Sequence, residues 1–218
     1  MRSAIILAGG NSRRLGAEKA LLEFEGKPLI CWTAEKLLLA ADEIVVVARD
    51  PAHAGRLEEI ISDFAAARQG AVFAWDSVAG YGPVAGLCAG MKEASGSLAF
   101  ATGCDLPFLN SQVIERLFEL ADEKEGYDAA VPVQPNGFFE PLHCVYHREK
   151  MLAACERAIK KAERRIHAPL QELCINRVSM ELLRPLDPDL LTFFNLNTRE
   201  DLERARALWT YCRKHSGL

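Results

Sequence analysis

Ile44-Val45-Val46-Val47 is an unbroken run of β-branched residues. Such residues pack well on a pleated surface, and this run has no polar face to turn towards water. It predicts a strand buried on both sides, as in a parallel sheet covered by helices. The strand spans Glu43–Ala48, and similar runs recur at Ser3–Leu7, Ala71–Trp75 and Ser97–Thr102. Helical spacing fills the intervals. Pro28–Ala40 sets Leu29, Trp32, Thr33, Lys36, Leu37 and Ala40 on one side, and helices are also expected near Ala52–Ala67 and Pro83–Ala94. This alternation predicts the α/β class: a doubly wound, mostly parallel sheet with helices on both faces.

After Pro107 the pattern is less regular. Ser111–Glu123 reads as a helix, and Ala129–Val133 and Pro141–Tyr146 read as strands. Lys150–Arg165 is rich in basic residues and reads as a solvated helix; Val178–Leu183 reads as a strand. Thr198–His215 reads as a final amphipathic helix with Leu202, Ala205, Trp209 and Cys212 on its apolar stripe. Thr198 is its expected cap, with Glu200 and Asp201 in the first turn. No repeat and no linker interrupts the chain, which predicts one domain over 1–218.

Composition excludes several classes. Twenty-six basic against 30 acidic residues leave a net charge of −4, so no basic excess points to nucleic acid. A polyanion would have to be held locally. No apolar run reaches the length of a membrane span. The apolar stretch Ala4–Ala8 suits a strand entering a loop better than an export signal, so a cytoplasmic protein without membrane contact is expected. The 7 cysteines are odd in number and form no CxxC, which predicts reduced, packed thiols.

Ligands of such sheets bind where strands end at their carboxyl edge. Three predicted strands end in unusual loops expected to converge there. The first is Leu7-Ala8-Gly9-Gly10-Asn11-Ser12-Arg13-Arg14-Leu15-Gly16-Ala17-Glu18-Lys19. Gly9 and Gly10 admit close backbone approach to an anion, and Arg13, Arg14 and Lys19 supply cations for a triphosphate. It is neither a Walker loop nor a dinucleotide fingerprint; the plain alternative is a strand-to-helix turn with surface charges. The second loop starts at Asp76 and ends in Gly82-Pro83-Val84-Ala85-Gly86, and either meets a base or ribose or is turn chemistry alone. The third holds Cys104-Asp105-Leu106-Pro107. Asp105 suits one Mg²⁺ contact, since magnesium takes one or two protein carboxylates and completes its shell with phosphate and water. Its alternative is helix capping, and Cys104 is expected to be a packed thiol. His143 is expected to satisfy a hydrogen bond on a strand rather than touch substrate. Asn195 and Asn197, at alternate positions, either face the cleft, one of them towards a metal, or cap the last helix. Lys160, Lys161, Arg164 and Arg165 read as a solvated face, with a phosphorylated substrate as the alternative.

Taken together, Leu7-Ala8-Gly9-Gly10-x-Ser12-x-Arg14-Leu15-Gly16-x-x-Lys19, Leu21-Leu22, Gly26-Lys27-Pro28-Leu29, Asp76…Gly82-Pro83-Val84-Ala85-Gly86, Cys104-Asp105-Leu106-Pro107-Phe108, Glu140-Pro141-Leu142-His143 and Phe194-Asn195-Leu196-Asn197-Thr198 resemble the landmarks of molybdenum cofactor guanylyltransferases, within the nucleotidyltransferase superfamily. The resemblance spans nearly the whole chain. It implies a Rossmann-like nucleotidyltransferase fold and transfer of GMP from GTP to molybdenum-loaded molybdopterin, releasing pyrophosphate. It further implies that Leu7, Ala8, Gly9, Gly10 and Lys19 bind GTP, that Asp76 contacts the guanosine and that Asp105 holds Mg²⁺. Lys19, Arg14 and Asp105 would form the catalytic set. It leaves room for transient contact with other cofactor-biosynthesis proteins. Ala-Gly-Gly points to guanylyl transfer, since cytidylyl-transferring relatives usually carry Ala-Ala-Gly; that choice rests on Gly10. Cytidylyl transfer, another small-molecule nucleotidyl transfer and a non-catalytic nucleotide-binding regulator are the alternatives.

The chain departs from this pattern twice. The asparagine often found after the second strand is replaced by Ala48-Arg49-Asp50, so no nucleotide contact is assigned there. Asn-Thr-Pro before the last helix is Asn197-Thr198-Arg199, a small change at the first helical position.

Overall fold

Alternate residues of a strand face opposite sides of its sheet, and in the central strands both sides are core. Ala4, Ile6, Ile44 and Val46 enter one apolar cluster, whereas Ile5, Val45 and Val47 enter another. Each isoleucine or valine among them contributes about 1.5–3 kcal/mol of burial, so these strands are held from both faces. The computed structural model describes residues 1–10, 18–64, 71–75, 82–121 and 126–216.

In chain order these residues form β1 (Arg2–Leu7), a 3-10 turn (Lys19–Leu21), β2 (Glu23–Phe24), β3 (Lys27–Pro28), α1 (Leu29–Leu37), β4 (Glu43–Ala48), α2 (Pro51–Phe64), β5 (Ala71–Trp75) and α3 (Pro83–Glu93). There follow β6 (Leu98–Gly103), α4 (Ser111–Leu120), β7 (Ala129–Val133), β8 (His143–His147), α5 (Arg148–Lys160), the single turn α6 (His167–Leu170), β9 (Ile175–Ser179) and α7 (Arg199–Ser216). Further 3-10 turns lie at Met180–Leu182 and Leu191–Phe193. The described strands build a seven-stranded sheet in the order β5-β4-β1-β6-β8-β7-β9. β8 runs antiparallel to both neighbours, and the remaining pairs are parallel. Leu37 of α1, Leu57 of α2 and Leu117 of α4 cover one face; Leu87 of α3 and Met151 of α5 cover the other. The α/β, mostly parallel class holds. No described helix is long and apolar enough to cross a membrane.

Three details differ from expectation. The strand expected at Val178–Leu183 is β9, which ends at Ser179. There the Ser179 side chain accepts from the Glu181 N–H (3.3 Å) and turns the chain into a 3-10 turn. The helix expected over Lys150–Arg165 ends at Lys160, closed by Ala162 in the left-handed region (φ 60) and by Glu163 N–H donating to the Ala158 carbonyl (2.9 Å). It is also not solvated throughout, because Met151, Ala154, Cys155 and Ala158 are buried. The hairpin of β2 and β3 was not foreseen. Glu25 and Gly26 both take positive φ (49° and 85°), as a two-residue hairpin turn requires.

Candidate active site

β1 and β6 are adjacent, parallel and in register from Arg2↔Leu98 to Leu7↔Gly103. Their carboxyl ends therefore deliver the Ala8–Gly10 and Cys104–Pro107 loops to one place. Ala8 extends the pairing by donating its N–H to the Val47 carbonyl (2.9 Å). Its amide is thus committed to the sheet. Gly9 lies flat on the second strand's exit: a Cβ there would meet the Arg49 amide nitrogen at 3.4 Å. Around Gly10 no described atom lies within 4 Å of where a Cβ would stand. Leu7 contributes backbone here, since its side chain packs into the core under α3.

Lys19 enters from the 3-10 turn that follows. Its ammonium donates to Asp105 Oδ2 (2.7 Å) and to Asn197 Oδ1 (2.6 Å). Three segments far apart in sequence thus meet at one cation. Both charged side chains are less than one-fifth exposed (19% and 15%), so the pair is largely sheltered from water. Asp105 is held from behind, because its carbonyl accepts from the Leu196 N–H (2.9 Å). Gly103 leaves room for its carboxylate: a Cβ there would lie 2.6 Å from Asp105 Oδ1.

The strap carrying Asn197 is fastened along its length. Thr192 N–H donates to Asp187 Oδ2 (2.8 Å), and Thr192 Oγ1 accepts from the Asn110 N–H (3.2 Å). A further hydrogen bond links Thr192 Oγ1 and His143 Nε2 (3.2 Å). Thr198 and Asp201 then cap α7 reciprocally, Asp201 N–H donating to Thr198 Oγ1 and Thr198 N–H to Asp201 Oδ2. α7 docks through Trp209, whose ring meets Trp32 at 4.6 Å and Phe24 at 5.6 Å between centroids. Asn195 faces away from this network, donating to the Phe193 carbonyl (3.1 Å).

The other reactive side chains nearby are silent at neutral pH. Burial, then the Asp105 charge, pushes the Cys104 thiol up to about 12, so no thiolate forms. Burial lowers the His143 imidazole to about 3, so it stays neutral. Its ring stands edge-on to Phe100 and against Phe193, as a structural strand histidine. Asn110, not Asp105, caps α4, accepting from the Gln112 and Val113 amides. Asp105 is thereby released from the capping alternative.

Leu7, Ala8, Gly9, Gly10, Lys19 and Asp105 therefore share one edge of the sheet. Arg13, Arg14 and Asp76 lie outside the described residues, so two of the three expected loops are seen to converge. Sequence reasoning missed a cluster behind the lysine. Glu18 Oε2 accepts from Arg49 (3.2 Å) and faces Arg56 (3.8 Å), while Glu18 Oε1 meets His53 Nε2. No motif spacing connects these residues, and only the fold brings them together.

Residues 4–175 match the model of the MobA-like NTP transferase domain. This chain belongs to the MobA-like NTP transferase family. It is accordingly a nucleotidyltransferase enzyme, and its Lys19–Asp105 pair lies inside the matched span. A relative from Methanosarcina mazei, named probable molybdenum cofactor guanylyltransferase, is 39% identical over 204 residues, covering 93% of this chain and 88% of the relative. The molybdenum cofactor guanylyltransferase of Desulfosudis oleivorans is 34% identical, with 94% of each covered. Among solved structures, molybdopterin-guanine dinucleotide biosynthesis protein A from Archaeoglobus fulgidus matches with a TM-score of 0.79 at 34% identity, covering 97% of this chain and 100% of that one. These relatives extend the likeness of this MobA-like chain beyond the domain match, over nearly its full length.

Proposed function

We propose that this chain, as one domain over 1–218, transfers GMP from GTP to molybdenum-loaded molybdopterin, giving molybdopterin guanine dinucleotide and pyrophosphate. The observation that carries the reading is the Lys19 ammonium set between Asp105 and Asn197 beside the Gly9–Gly10 turn. The relatives' names support the choice of nucleotide and acceptor. The partners would be these two small molecules, met in the cytoplasm, with no nucleic acid and no membrane.

The acceptor's terminal phosphate is anionic at neutral pH, so it attacks without a general base; neither Cys104 nor His143 is suited to be one. A bond forms from that phosphate oxygen to the α-phosphorus of GTP. The bond to the bridging oxygen breaks, and pyrophosphate leaves with the electron pair. The protein's part is alignment and charge neutralisation. Gly9 and Gly10 offer amides to phosphate oxygens. Lys19, a compact cation on a flexible stem, reaches the departing pyrophosphate by rotating. Arg14 is assigned the same task and Asp76 the guanosine, from the motif they occupy.

Asp105 would hold Mg²⁺, with Asn197 beside it. No cluster of three or more His, Cys, Asp or Glu able to cage a metal occurs among the described residues. A single carboxylate completed by phosphate and water is a donor set that magnesium accepts, and Gly103 keeps space at Oδ1. When bound, the metal offsets phosphate charge and polarises the reacting phosphoryl group.

Incubation with GTP, Mg²⁺ and molybdenum-loaded molybdopterin tests the proposal, read by mass spectrometry of the dinucleotide product. Wild type should form it, and Asp105→Ala should lose at least about a hundredfold in rate while keeping its circular dichroism spectrum. Undiminished product from Asp105→Ala would remove Asp105 from the mechanism.

A further inference from the structure

Behind Lys19 lies a buried histidine that the transfer reaction does not use. His53 sits in the first turn of α2 with its side chain wholly buried (0% exposed). Its Nδ1 accepts from the Arg49 backbone N–H (3.2 Å). Its Nε2 meets Glu18 Oε1. The Arg49 contact fixes the tautomer. A ring nitrogen that accepts from an amide carries no proton, so the proton is on Nε2, the nitrogen that faces the Glu18 carboxylate. Protonating Nδ1 as well would set two donors against each other.

The charged groups facing the ring are Glu18, Arg49, Arg56 and Asp50. Burial, foremost, lowers the pKa of His53 from its ordinary value, against the pull of Glu18, in keeping with a neutral ring. Asp50 orients the residue by accepting the His53 N–H (2.7 Å).

Each nitrogen leads to a different wall of the site. The Arg49 amide that Nδ1 fixes is the atom against which Gly9 packs, 3.4 Å from the place of its Cβ. The Glu18 that Nε2 meets directly precedes Lys19, and its carbonyl accepts from Leu21 N–H (3.1 Å) to close the 3-10 turn. One imidazole thus spans the start and the end of the Gly9–Lys19 loop.

We propose that His53 is a positioning residue for nucleotidyl transfer: in its neutral Nε2–H form it ties the Gly9 backbone to the Glu18–Lys19 turn and so sets where Lys19 meets the triphosphate. This rests on the reading of Lys19 as a triphosphate ligand. His53 touches no reacting atom. It acts through Arg49 and Glu18, which takes the guanidiniums of Arg49 and Arg56 as well.

The test compares wild type, His53→Leu and His53→Gln, each alone and with Lys19→Ala, by kcat/KM for GTP and by GTP affinity in calorimetry. His53→Leu removes both contacts and should lower kcat/KM about tenfold, as misplacement of a binding group does. His53→Gln keeps an N–H for Glu18 and should recover most of the loss. With Lys19→Ala already present, His53→Leu should cost less than about twofold more, because both changes remove one unit. Equal losses in both backgrounds would overturn the proposal, as would a Gln variant no better than Leu.

Nitrogen NMR of the wild-type His53 ring gives a second readout that does not depend on the variants folding. Nδ1 should be bare and Nε2 protonated at about pH 7; a proton on Nδ1 in the folded protein at that pH would overturn the tautomer argument. If CTP proves to be the substrate, the same comparison run with CTP tests His53. The choice of nucleotide and the positioning role therefore fail separately.

Discussion

At the scale of single residues, the contrast between Gly9 and Gly10 is informative. Gly9 abuts the chain itself: a Cβ there would stand 3.4 Å from the Arg49 amide nitrogen, in close van der Waals contact with that backbone. Gly10 is not so constrained: no described atom crowds it, and its backbone is outside the left-handed region. Gly10→Ala should therefore leave unfolding free energy within about 0.5 kcal/mol of wild type while lowering kcat/KM for GTP relative to CTP. Parallel denaturation and kinetics on the one variant would check this, and a large stability loss would mean that packing requires the glycine. Lys19 and Asp105 were legible because each stands in a recognisable motif. Asn197 was legible only in part. Alternation allowed both Asn195 and Asn197 to face the cleft, but Asn195 bonds to the Phe193 carbonyl instead. Glu18 and His53 were not legible at all, since their meeting depends on how α2 packs against the lysine turn.

Among the elements, apolar strands could be read from their residues alone: β4, β5 and β7 match their expected limits, although β5, at the sheet edge, leaves Val72 and Trp75 exposed. Reading failed where local backbone chemistry overruled hydropathy. Ser179 turns β9 aside, Ala162 ends α5 early and Glu25-Gly26 folds a hairpin inside polar sequence. The strap that carries Asn197 depends on β8 through Thr192 and His143, and this dependence has a pH signature. His143 is lowered from 6.5 to about 3 by burial, so between those values the unfolded chain binds a proton that the folded chain does not. The neutral ring's stability contribution is complete above pH 6.5 and is lost as pH falls towards 3. The slope from this group is about 1.4 kcal/mol per pH unit. His143→Gln keeps a partner for Thr192 without titrating. Urea unfolding from pH 7 down to pH 4 should lose stability less steeply in that variant, and an identical slope would show that His143 is not buried as a neutral ring.

Across the whole molecule, the site exists because β1 and β6 are neighbours and because the C-terminal strap returns to their ends. The Lys19 ammonium then joins parts of the chain 86 and 178 residues away from it. The fold class followed from strand–helix alternation, and the reaction class from motifs at the strand ends. What the sequence alone left to a single residue, Gly10, was guanine against cytosine. Pyrophosphate release in the presence of Mg²⁺ and molybdenum-loaded molybdopterin, with GTP, CTP, ATP and UTP supplied in turn, tests guanylyl transfer most directly. Release with GTP should exceed release with each of the others by at least about tenfold, or about 1.4 kcal/mol of transition-state preference; release with CTP equal to or faster than with GTP would contradict it.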